Sequence, residues 1–541
     1  MKIIFILIIC FYLIPEKLPA QNEISKVWIA DNGDGTYTNP ILHADYSDPD
    51  VVKVSDDYYM TSSSFNCVPG LPILHSKDLV NWKLIGHAIK KQVPLDVFDK
   101  PQHGNGIWAP CIRYHKNEFY IYYPDPDYGI YLTKATSASG PWSEPILVKA
   151  GKGLIDPSPL FDGDGKVYLT FAFAGSRARI KSVLIVAEMN SSGTAVVGNE
   201  VMVFDGHEGQ PTVEGAKFYK RNGFYYIFAP AGGVTNGWQL VLRSKNIYGP
   251  FEEKMVLAQG STEINGPHQG AWITTSGGED WFIHFQDKEA YGRIVHLQPM
   301  QWKNDWPVIG IDSDDDGVGE PVLSYKKPDV GKKHPFITPP ESDEFNGNQL
   351  GLQWQWHANP SMKWGFPSGN LGFYRLNCIA KPEEVNSLWM VPNLLLQKFP
   401  AEEFTATTKF TFNARTDNEE TGLLIMGEDY QYISLKRQNE KLHLRVIQCN
   451  KARTGGTEQI LYSEELDVNK VYFRVKVEKG ALCSFSYSTN GKEFQTVSTG
   501  FEAKPGRWIG AKIGLFALRE GITNDSGTVN IDWFRIEKNT N

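Results

Sequence analysis

The sequence is poor in cysteine and has no excess of positive charge, and each deficit excludes a class of protein. Its six cysteines lie far apart, at Cys10, Cys67, Cys111, Cys378, Cys449 and Cys483. This spacing fits neither a disulfide framework nor the paired cysteines of a zinc site, so we expect buried thiols and at most one disulfide. The formal net charge of −8 argues against a nucleic-acid partner, because phosphate binding needs a basic face.

Long apolar runs are also missing, except at the N-terminus. There Met1 and Lys2 precede the uncharged run 3–14, and Ala20 is a small residue suited to a cleavage site. One cation, an apolar run too short to cross a bilayer and a small residue are typical of a secretory signal peptide. We therefore expect residues 1–20 to be a signal peptide cleaved after Ala20, and the mature protein to be secreted or periplasmic with no membrane span.

Sustained helical periodicity is scarce, whereas a turn followed by an aromatic strand recurs five times. The copies lie at residues 55–59, 116–122, 162–168, 221–226 and 277–283. They follow one another at intervals of roughly 50 to 60 residues, the spacing of four-stranded propeller blades. The chain is therefore predicted to be all-β, with a five-bladed β-propeller over residues 21–325.

The C-terminal part of the chain has a different pattern. Residues 326–340 are rich in Lys and Pro and are predicted to be a linker. Short segments in which apolar and polar residues alternate follow, for example 404–412 and 472–477. Such alternation is typical of half-buried antiparallel strands, so residues 341–541 are predicted to form a β-sandwich.

Five residues occupy the same position in the five repeats, just before or at the start of the innermost strand. They are Asp48, Trp108, Asp156, Glu214 and His268. Because the innermost strands of a propeller surround one central channel, these side chains are expected to converge on a single pocket. Repetition of the unit is the main physical argument, since a random surface acid would not recur at this position.

Three carboxyl groups in one pocket suit the hydrolysis of a glycosidic bond. That reaction needs an acid to protonate the departing oxygen and a second carboxylate on the opposite face of the sugar. Glu214 lies among apolar neighbours that raise a carboxyl pKa, which suits the acid. Asp48 is the predicted base, and Pro49 favours an extended, stiff backbone at Asp48. Asp156 is expected to raise the pKa of the acid through its negative charge.

The segments that carry these residues resemble glycoside hydrolase family 43, in particular its two-domain β-xylosidases and α-L-arabinofuranosidases. The matching segments are Asn39-Pro40-Ile41-Leu42, Ser47-Asp48-Pro49-Asp50, Gly106-Ile107-Trp108-Ala109-Pro110, Ile155-Asp156-Pro157-Ser158, Val213-Glu214-Gly215 and Gly292-Arg293. The resemblance implies a five-bladed propeller followed by a concanavalin A-like, jelly-roll sandwich. It also implies hydrolysis with inversion, with Asp48 as base, Asp156 as the pKa-modulating group and Glu214 as acid.

The resemblance suggests three further site residues. Arg293 would reach the pocket floor and contact sugar hydroxyls or an acid, and Trp108 would form a wall of the sugar subsite. His268 would line the channel and bind substrate, an ordered water or a metal ion. No cofactor is expected to be required for the chemistry, but a structural Ca²⁺ on the propeller axis is possible in this family.

A second possible cation site lies outside the repeats. Residues 312–317 match the opening of an EF-hand loop, but Leu323 stands at the twelfth position, where such a loop needs Glu. A solvated turn is the favoured interpretation.

The sequence therefore predicts a secreted, exo-acting, inverting glycosidase that releases terminal α-L-arabinofuranose or β-D-xylose from plant-cell-wall polysaccharides or oligosaccharides. Two alternatives are an endo-arabinanase and a sugar-binding propeller without catalysis. The two pentoses are not distinguished, because the shape of the pocket decides between them.

Overall fold

The computed structural model describes residues 24–540, which form two β-rich parts. The expected signal peptide, residues 1–20, lies outside the described residues. Within residues 24–540, no helix combines the length and the apolar character that crossing a membrane requires. In the described part of the chain, the one α-helix, Gly175–Ala178, and the 3₁₀ turns are short; these turns are Glu289–Tyr291, Gly369–Leu371, Leu388–Met390 and Ala452–Thr454.

The first part is the predicted five-bladed propeller, in which every blade is a four-stranded antiparallel meander. Blade one contains Asp50–Val54, Asp57–Thr61, Gly70–Ser76 and Trp82–Ile89, and blade two contains Cys111–His115, Glu118–Asp125, Gly129–Ala135 and Ile146–Ala150. Blade three contains Leu154–Phe161, Val167–Phe173, Val183–Met189 and Val196–Asp205. Blade four contains Lys217–Arg221, Phe224–Ala231, Trp238–Ser244 and Glu252–Leu257, and blade five contains His268–Thr274, Asp280–Asp287, Arg293–Lys303 and Trp306–Ile309.

The aromatic strand predicted in each repeat is the second strand of its blade. In blade three this strand is Val167–Phe173, and six of its seven residues are buried. A strand between two paired neighbours, with a blade packed on each face, must be apolar on both sides, which explains why alternation is lost there. The aromatic strands therefore build the core, and the strands before them form the central channel.

The N-terminal segment closes the propeller ring. Leu42 exchanges two backbone hydrogen bonds with Val295 of blade five, and the strand Thr36–Thr38 pairs with Ser324–Lys326. The amide of Asn39 donates to the carbonyls of Leu297 and Val322. The N-terminal end of the propeller segment is thus bonded both to blade five and to the C-terminal end of the segment, which positions residues 43–48 beside blade five.

The second part is the predicted sandwich of two large sheets. Seven strands of the first sheet follow the order Gln355–Trp356, Leu395–Lys398, Lys512–Arg519, Glu420–Met426, Tyr430–Gln438, Lys441–Cys449 and Glu458–Leu466, and Ile379–Ala380 pairs parallel with Lys512–Arg519. The second sheet has the order Gly365–Pro367, Tyr374–Asn377, Thr528–Glu537, Phe404–Asn413, Lys470–Glu478, Leu482–Ser488 and Gln495–Glu502. Buried residues of both sheets share one hydrophobic cluster.

The segment predicted to be a linker is held along the propeller. Lys326 still belongs to a strand, and the half-buried Lys327 forms ion pairs with the buried carboxylates of Asp31 and Asp78. Further on, the hydroxyl of Thr338 accepts a hydrogen bond from the backbone of Ser25. These contacts tie the connecting segment to the first part of the chain along much of its length.

All five cysteines within the described residues are buried and free. The expectation of buried thiols is therefore confirmed for Cys67, Cys111, Cys378, Cys449 and Cys483.

Candidate active site

A cavity of about 610 Å³ opens at one end of the propeller channel. Its volume lies in the range of small-ligand sites. Its walls are formed by all five blades and by one residue of the sandwich. Among its lining residues are all six residues predicted to form the site: Asp48, Trp108, Asp156, Glu214, His268 and Arg293. The convergence predicted from the repeat is therefore observed.

Asp48 lies at the bottom of this cavity and is surrounded by donors. Its carboxylate accepts hydrogen bonds from Ser47 Oγ at 2.8 Å and Ser63 Oγ at 2.5 Å, and Arg293 Nη1 lies 3.2 Å from Asp48 Oδ1. Only 5% of Asp48 is exposed. Its carboxylate is thus held in one orientation by blade one and blade five.

The backbone prediction for Asp48 was wrong. Asp48 has a φ of 56°, in the left-handed region, and so does Asp156 with 55°. Asp tolerates this conformation better than most residues, and the hydrogen bonds of the two carboxylates compensate for its cost. Backbone strain of this kind is concentrated at functional sites. The left-handed backbone conformation at each residue, not an extended segment, directs both carboxylates into the cavity.

Asp156 lines the cavity with only 2% of its surface exposed, and it is bonded to the next two blades. Its Oδ2 accepts from the backbone N–H of Gly215 at 2.7 Å, and its Oδ1 accepts from Gln269 Nε2 at 3.1 Å. Burial raises the pKa of Asp156, and the negative charge of Asp48 adds to this effect. Asp156 therefore fixes the residue that follows Glu214 and places a negative charge near it.

Glu214 lies between two residues with positive φ, Thr212 at 57° and Gly215 at 65°. A Cβ atom on Gly215 would come within 2.4 Å of the Gln269 side chain, so this tight turn needs glycine. The Glu214 side chain is 24% exposed and faces the cavity. Burial, followed by the negative charge of Asp156, raises the pKa of Glu214 well above its ordinary value. Both causes match the sequence prediction for an acid.

His268 lies beside Glu214, with its Nε2 3.9 Å from Glu214 Oε1. It is completely buried, and neither ring nitrogen has a hydrogen-bond partner within residues 24–540. Burial, followed by the charge of Arg293, lowers the pKa of His268 to about 3. His268 is therefore a neutral imidazole directed at the cavity.

The surroundings of His268 do not fit a calcium ion. Calcium takes six to eight oxygen ligands, whereas the carboxylate that His268 approaches is that of Glu214. In the described part of the chain, the one group of three His, Cys, Asp or Glu ligand atoms within 4.8 Å of one another is Asp312, Asp314 and Asp316. These belong to the exposed loop that resembles an EF-hand opening, where Lys303 already pairs with Asp312.

Arg293 and Trp108 lie where the sequence predicts. Arg293 is 8% exposed and contacts an acid, Asp48, as anticipated. Trp108 is half-buried, donates from its indole nitrogen to the carbonyl of Gly104 at 3.0 Å, and turns one side toward the cavity. The guanidinium of Arg177 lies 5.5 Å from the Trp108 ring centroid. The wall of the cavity at Trp108 is thus fixed from two sides.

Sequence reasoning missed one important lining residue, Trp508 of the sandwich. Its ring centroid lies 6.3 Å from that of Trp108, and the Arg293 guanidinium lies 5.8 Å from the Trp508 ring. Trp508 has a φ of 63°, which is a strained conformation for a bulky residue. The sequence around Trp508 has no periodic pattern. Trp508 could therefore be identified only from knowledge of how the sandwich docks on the propeller.

The segment 173–181 of blade three was also missed. It contributes Phe173, Ser176, Arg179, Ile180 and Lys181 to the cavity wall. It runs from the last residue of the second strand of the blade, Phe173, through the connection that leads to the third strand at Val183.

Comparisons with known proteins agree with this geometry. Residues 37–307 match the model of "Glycosyl hydrolases family 43", and residues 342–537 match that of the "Beta xylosidase C-terminal Concanavalin A-like domain". The chain is 32% identical to a "Beta-xylosidase" of Formosa agariphila, over 96% of this chain and 94% of the relative. It is 28% identical to a "Non-reducing end alpha-L-arabinofuranosidase" of Bacteroides ovatus, over 92% and 94% of the two chains.

A solved structure has the same arrangement of two parts. The crystal structure described as "xylan beta-1,4-xylosidase from Bacillus Halodurans C-125" superposes with a TM-score of 0.81 at 26% identity, covering 93% of this chain and 100% of the other. Together with the two family models, which account for both parts of the fold, this establishes the family. The chain belongs to family 43 of the glycosyl hydrolases and is a glycosidase with a C-terminal concanavalin A-like domain.

Proposed function

We propose that the protein is an exo-acting, inverting glycosidase that releases α-L-arabinofuranose or β-D-xylose from the non-reducing ends of plant-cell-wall polysaccharides or oligosaccharides. The observation that carries the proposal is the pair of carboxyl groups with opposite environments in one cavity. Asp48 is surrounded by three hydrogen-bond donors, whereas burial and Asp156 raise the pKa of Glu214. Two titratable groups whose environments differ in this way suit the base and acid of hydrolysis.

In the proposed reaction, Glu214 donates its proton to the glycosidic oxygen as the bond to the anomeric carbon breaks. A water molecule attacks that carbon from the opposite face, and Asp48 takes a proton from the water. The products are a free pentose of inverted configuration and the leaving alcohol, with Asp48 protonated and Glu214 ionised until the protons exchange with solvent. Asp156 acts through Glu214 and is a positioning residue. The neutral imidazole of His268 and the guanidinium of Arg293 offer further hydrogen bonds to sugar hydroxyls.

The exo mode is supported by the way the cavity is walled. Trp508 of the sandwich packs edge-on against Trp108 of blade two, with 6.3 Å between the ring centroids, and both rings line the cavity. A cavity bounded by a second domain suits the end of a chain better than its middle, which must enter and leave through an open groove. The relatives that are named β-xylosidase and α-L-arabinofuranosidase support both pentoses as products.

A panel of nitrophenyl glycosides tests the proposal, with product analysis on arabino- and xylo-oligosaccharides. We expect release of a single pentose and loss of activity in Glu214→Ala, while proton NMR reports the anomer formed first. Oligosaccharide products without monosaccharide would favour the endo-arabinanase. Binding without turnover of any substrate would favour the non-catalytic propeller.

We also propose that the protein is secreted or periplasmic and that its chemistry needs no cofactor. Support for the first comes from the N-terminal sequence, where a cation precedes an apolar run that ends before Ala20. N-terminal sequencing of the protein from its source tests cleavage after Ala20. Unchanged turnover after treatment with a chelator is expected, and restoration of lost turnover by Ca²⁺ would contradict the second proposal.

A further inference from the structure

From the charged residues around the cavity, we infer that the leaving group of the natural substrate carries a carboxylate, as in an oligosaccharide whose pentose is attached to a uronic acid. Arg179 and Lys181 form the site for this carboxylate. The inference rests on the proposed function, which supplies the pentose and the bond that is cleaved. The inference keeps the proposed mechanism of hydrolysis and specifies only the chemical class of the leaving sugar.

The cavity is lined by charged side chains of both signs. The charged side chains that line the cavity are the three carboxyl groups already described and the cations Arg179, Lys181 and Arg293. Arg293 pairs with Asp48, but Arg179 and Lys181 have no ion pair with any acidic side chain within residues 24–540. Both are exposed. The protein carries a net charge of −8, so two cations without an acidic partner in the described residues, both lining one cavity, are a local feature.

Lys181 lies on the side of the cavity where the proposed acid, Glu214, is located. Lys181 Nζ donates to the hydroxyl of Thr212 at 3.4 Å, and Thr212 stands two residues before Glu214. The positive charge of Lys181 lies close enough to lower the pKa of Glu214, against the stronger effect of burial. Because Glu214 protonates the departing oxygen in the proposed reaction, groups beside it face the leaving group and not the pentose that is released.

The neighbouring cation Arg177 has an ion pair, whereas Arg179 and Lys181 have none within residues 24–540. Arg177 donates to Asn105 Oδ1 at 2.5 Å, pairs with Asp127 at 3.4 Å and covers Trp108. Its functions are to hold blade three against blade two and to fix Trp108. Arg179 ends the short helix in a left-handed conformation, and its side chain is directed to the cavity.

The residue between the two cations completes a surface suited to an acidic sugar. Ile180 is 50% exposed and lines the cavity between Arg179 and Lys181. An apolar side chain flanked by two cations can contact the C–H face of a sugar ring while the cations bind a carboxylate at its edge. Arg in particular matches the planar, bidentate geometry of a carboxylate. A uronic acid ring offers both features in one residue.

The test compares substrates that differ only in charge. Three disaccharides are prepared in which the pentose identified with the nitrophenyl panel is linked in the same way to glucuronic acid, to its uncharged methyl ester and to glucose. We expect kcat/KM to be higher for the acid than for the ester by about tenfold or more, which corresponds to one charge-assisted hydrogen bond. This preference should shrink as the salt concentration rises.

The variant Arg179→Gln/Lys181→Gln should lose the ratio between acid and ester. The matched control is Lys332→Gln/Lys333→Gln, which removes two adjacent exposed cations outside the cavity lining and should retain the ratio. Calorimetric binding of glucuronate against its methyl ester measures the same preference without turnover, in case the variant is inactive.

Equal kcat/KM values for the acid and the ester in the unmodified enzyme would overturn the inference. The same holds for a preference that survives in Arg179→Gln/Lys181→Gln. Failure of the proposed function has a different signature, because the uncharged nitrophenyl pentosides would then also remain intact.

Discussion

Asp45 of the propeller and Lys512 of the sandwich form a buried ion pair, with 3.3 Å between Asp45 Oδ2 and Lys512 Nζ and both side chains only 3% exposed. The same carboxylate accepts hydrogen bonds from the backbone N–H groups of Arg293 and Gly510, each at 3.0 Å. One side chain thus joins the arginine beneath the cavity to the sandwich segment that carries Trp508. The shape of the candidate active site therefore depends on how the two parts are docked.

Removing Asp45 should destabilise the docked structure. The variant Asp45→Ala leaves Lys512 buried without its counter-charge, which costs about 3–5 kcal/mol when a buried pair is broken on one side. We expect a lower denaturant midpoint, measured by tryptophan fluorescence. The exposed pair of Lys441 and Glu465 provides the control, because Glu465→Ala should cost less than about 1 kcal/mol. Equal effects of the two variants would contradict the importance of the buried pair.

Trp508 should contribute to substrate affinity and rate although it belongs to the sandwich. Because Trp508→Ala removes an aromatic wall of the cavity, kcat/KM should fall by about tenfold, equivalent to about 1.4 kcal/mol. The measurement is steady-state hydrolysis of the preferred nitrophenyl pentoside. Phe366 of the sandwich is 45% exposed and lies outside the cavity lining, so Phe366→Ala should leave kcat/KM unaltered. An unaffected Trp508→Ala enzyme would mean that the sandwich only supports the propeller.

Glu214→Gln should affect substrates according to their leaving group. The glutamine cannot donate a proton to the departing oxygen, so hydrolysis of a disaccharide should slow by roughly 10²- to 10⁴-fold, the usual contribution of general acid catalysis. A dinitrophenyl pentoside, whose leaving group needs little protonation, should be affected much less. Comparison of kcat for the two substrates checks this. A uniform loss on both would assign Glu214 a role other than proton donor.

The pH dependence of kcat/KM should report the negative charge of Asp156. Glu214 must be protonated to act as acid, so activity falls as the pH rises through its pKa, and a higher pKa extends activity to higher pH. Since the charge of Asp156 raises the pKa of Glu214, the variant Asp156→Asn should move the alkaline limb to lower pH by about one unit. Asp164→Asn, which removes an exposed charge from the same blade, should leave the limb in place. A lower maximum rate without movement of the limb would restrict Asp156 to holding Gly215.

The raised pKa of Glu214 should also make the stability of the folded protein depend on pH. Burial and the negative charge of Asp156 raise the pKa of Glu214 from its ordinary value of 4.5 to about 8 in the folded protein. Folding therefore binds a proton between these pH values, and stability falls as the pH rises from the lower to the higher one. Glu214→Gln should then have a higher Tm than the unmodified protein at the alkaline end, with no difference at the acid end. Glu208→Gln, at an exposed position, should show no such difference in scanning calorimetry.

The sequence alone predicted the propeller and the residues that converge in it. The prediction succeeded because each repeat has the same order of turn and aromatic strand, so a residue such as Asp156 or Glu214 is located by its distance from its own strand. The alternating pattern identified the sandwich in the same way, since both signals are local. Arg293 was identified by the family resemblance, and the structure adds that the acid it contacts is Asp48.

Only the tertiary structure decided the features that depend on residues distant in sequence. Trp508 reaches the cavity because the sandwich docks on the propeller, and Lys512 pairs with Asp45 for the same reason. The sequence around these residues has no local pattern that predicts either contact. The left-handed backbone of Asp48 also had no reliable local signal, because the following proline favours another conformation. The hydrogen bond from Ser63 forms within blade one, whereas the bonds from Arg293 of blade five form only after the five blades have closed into a ring.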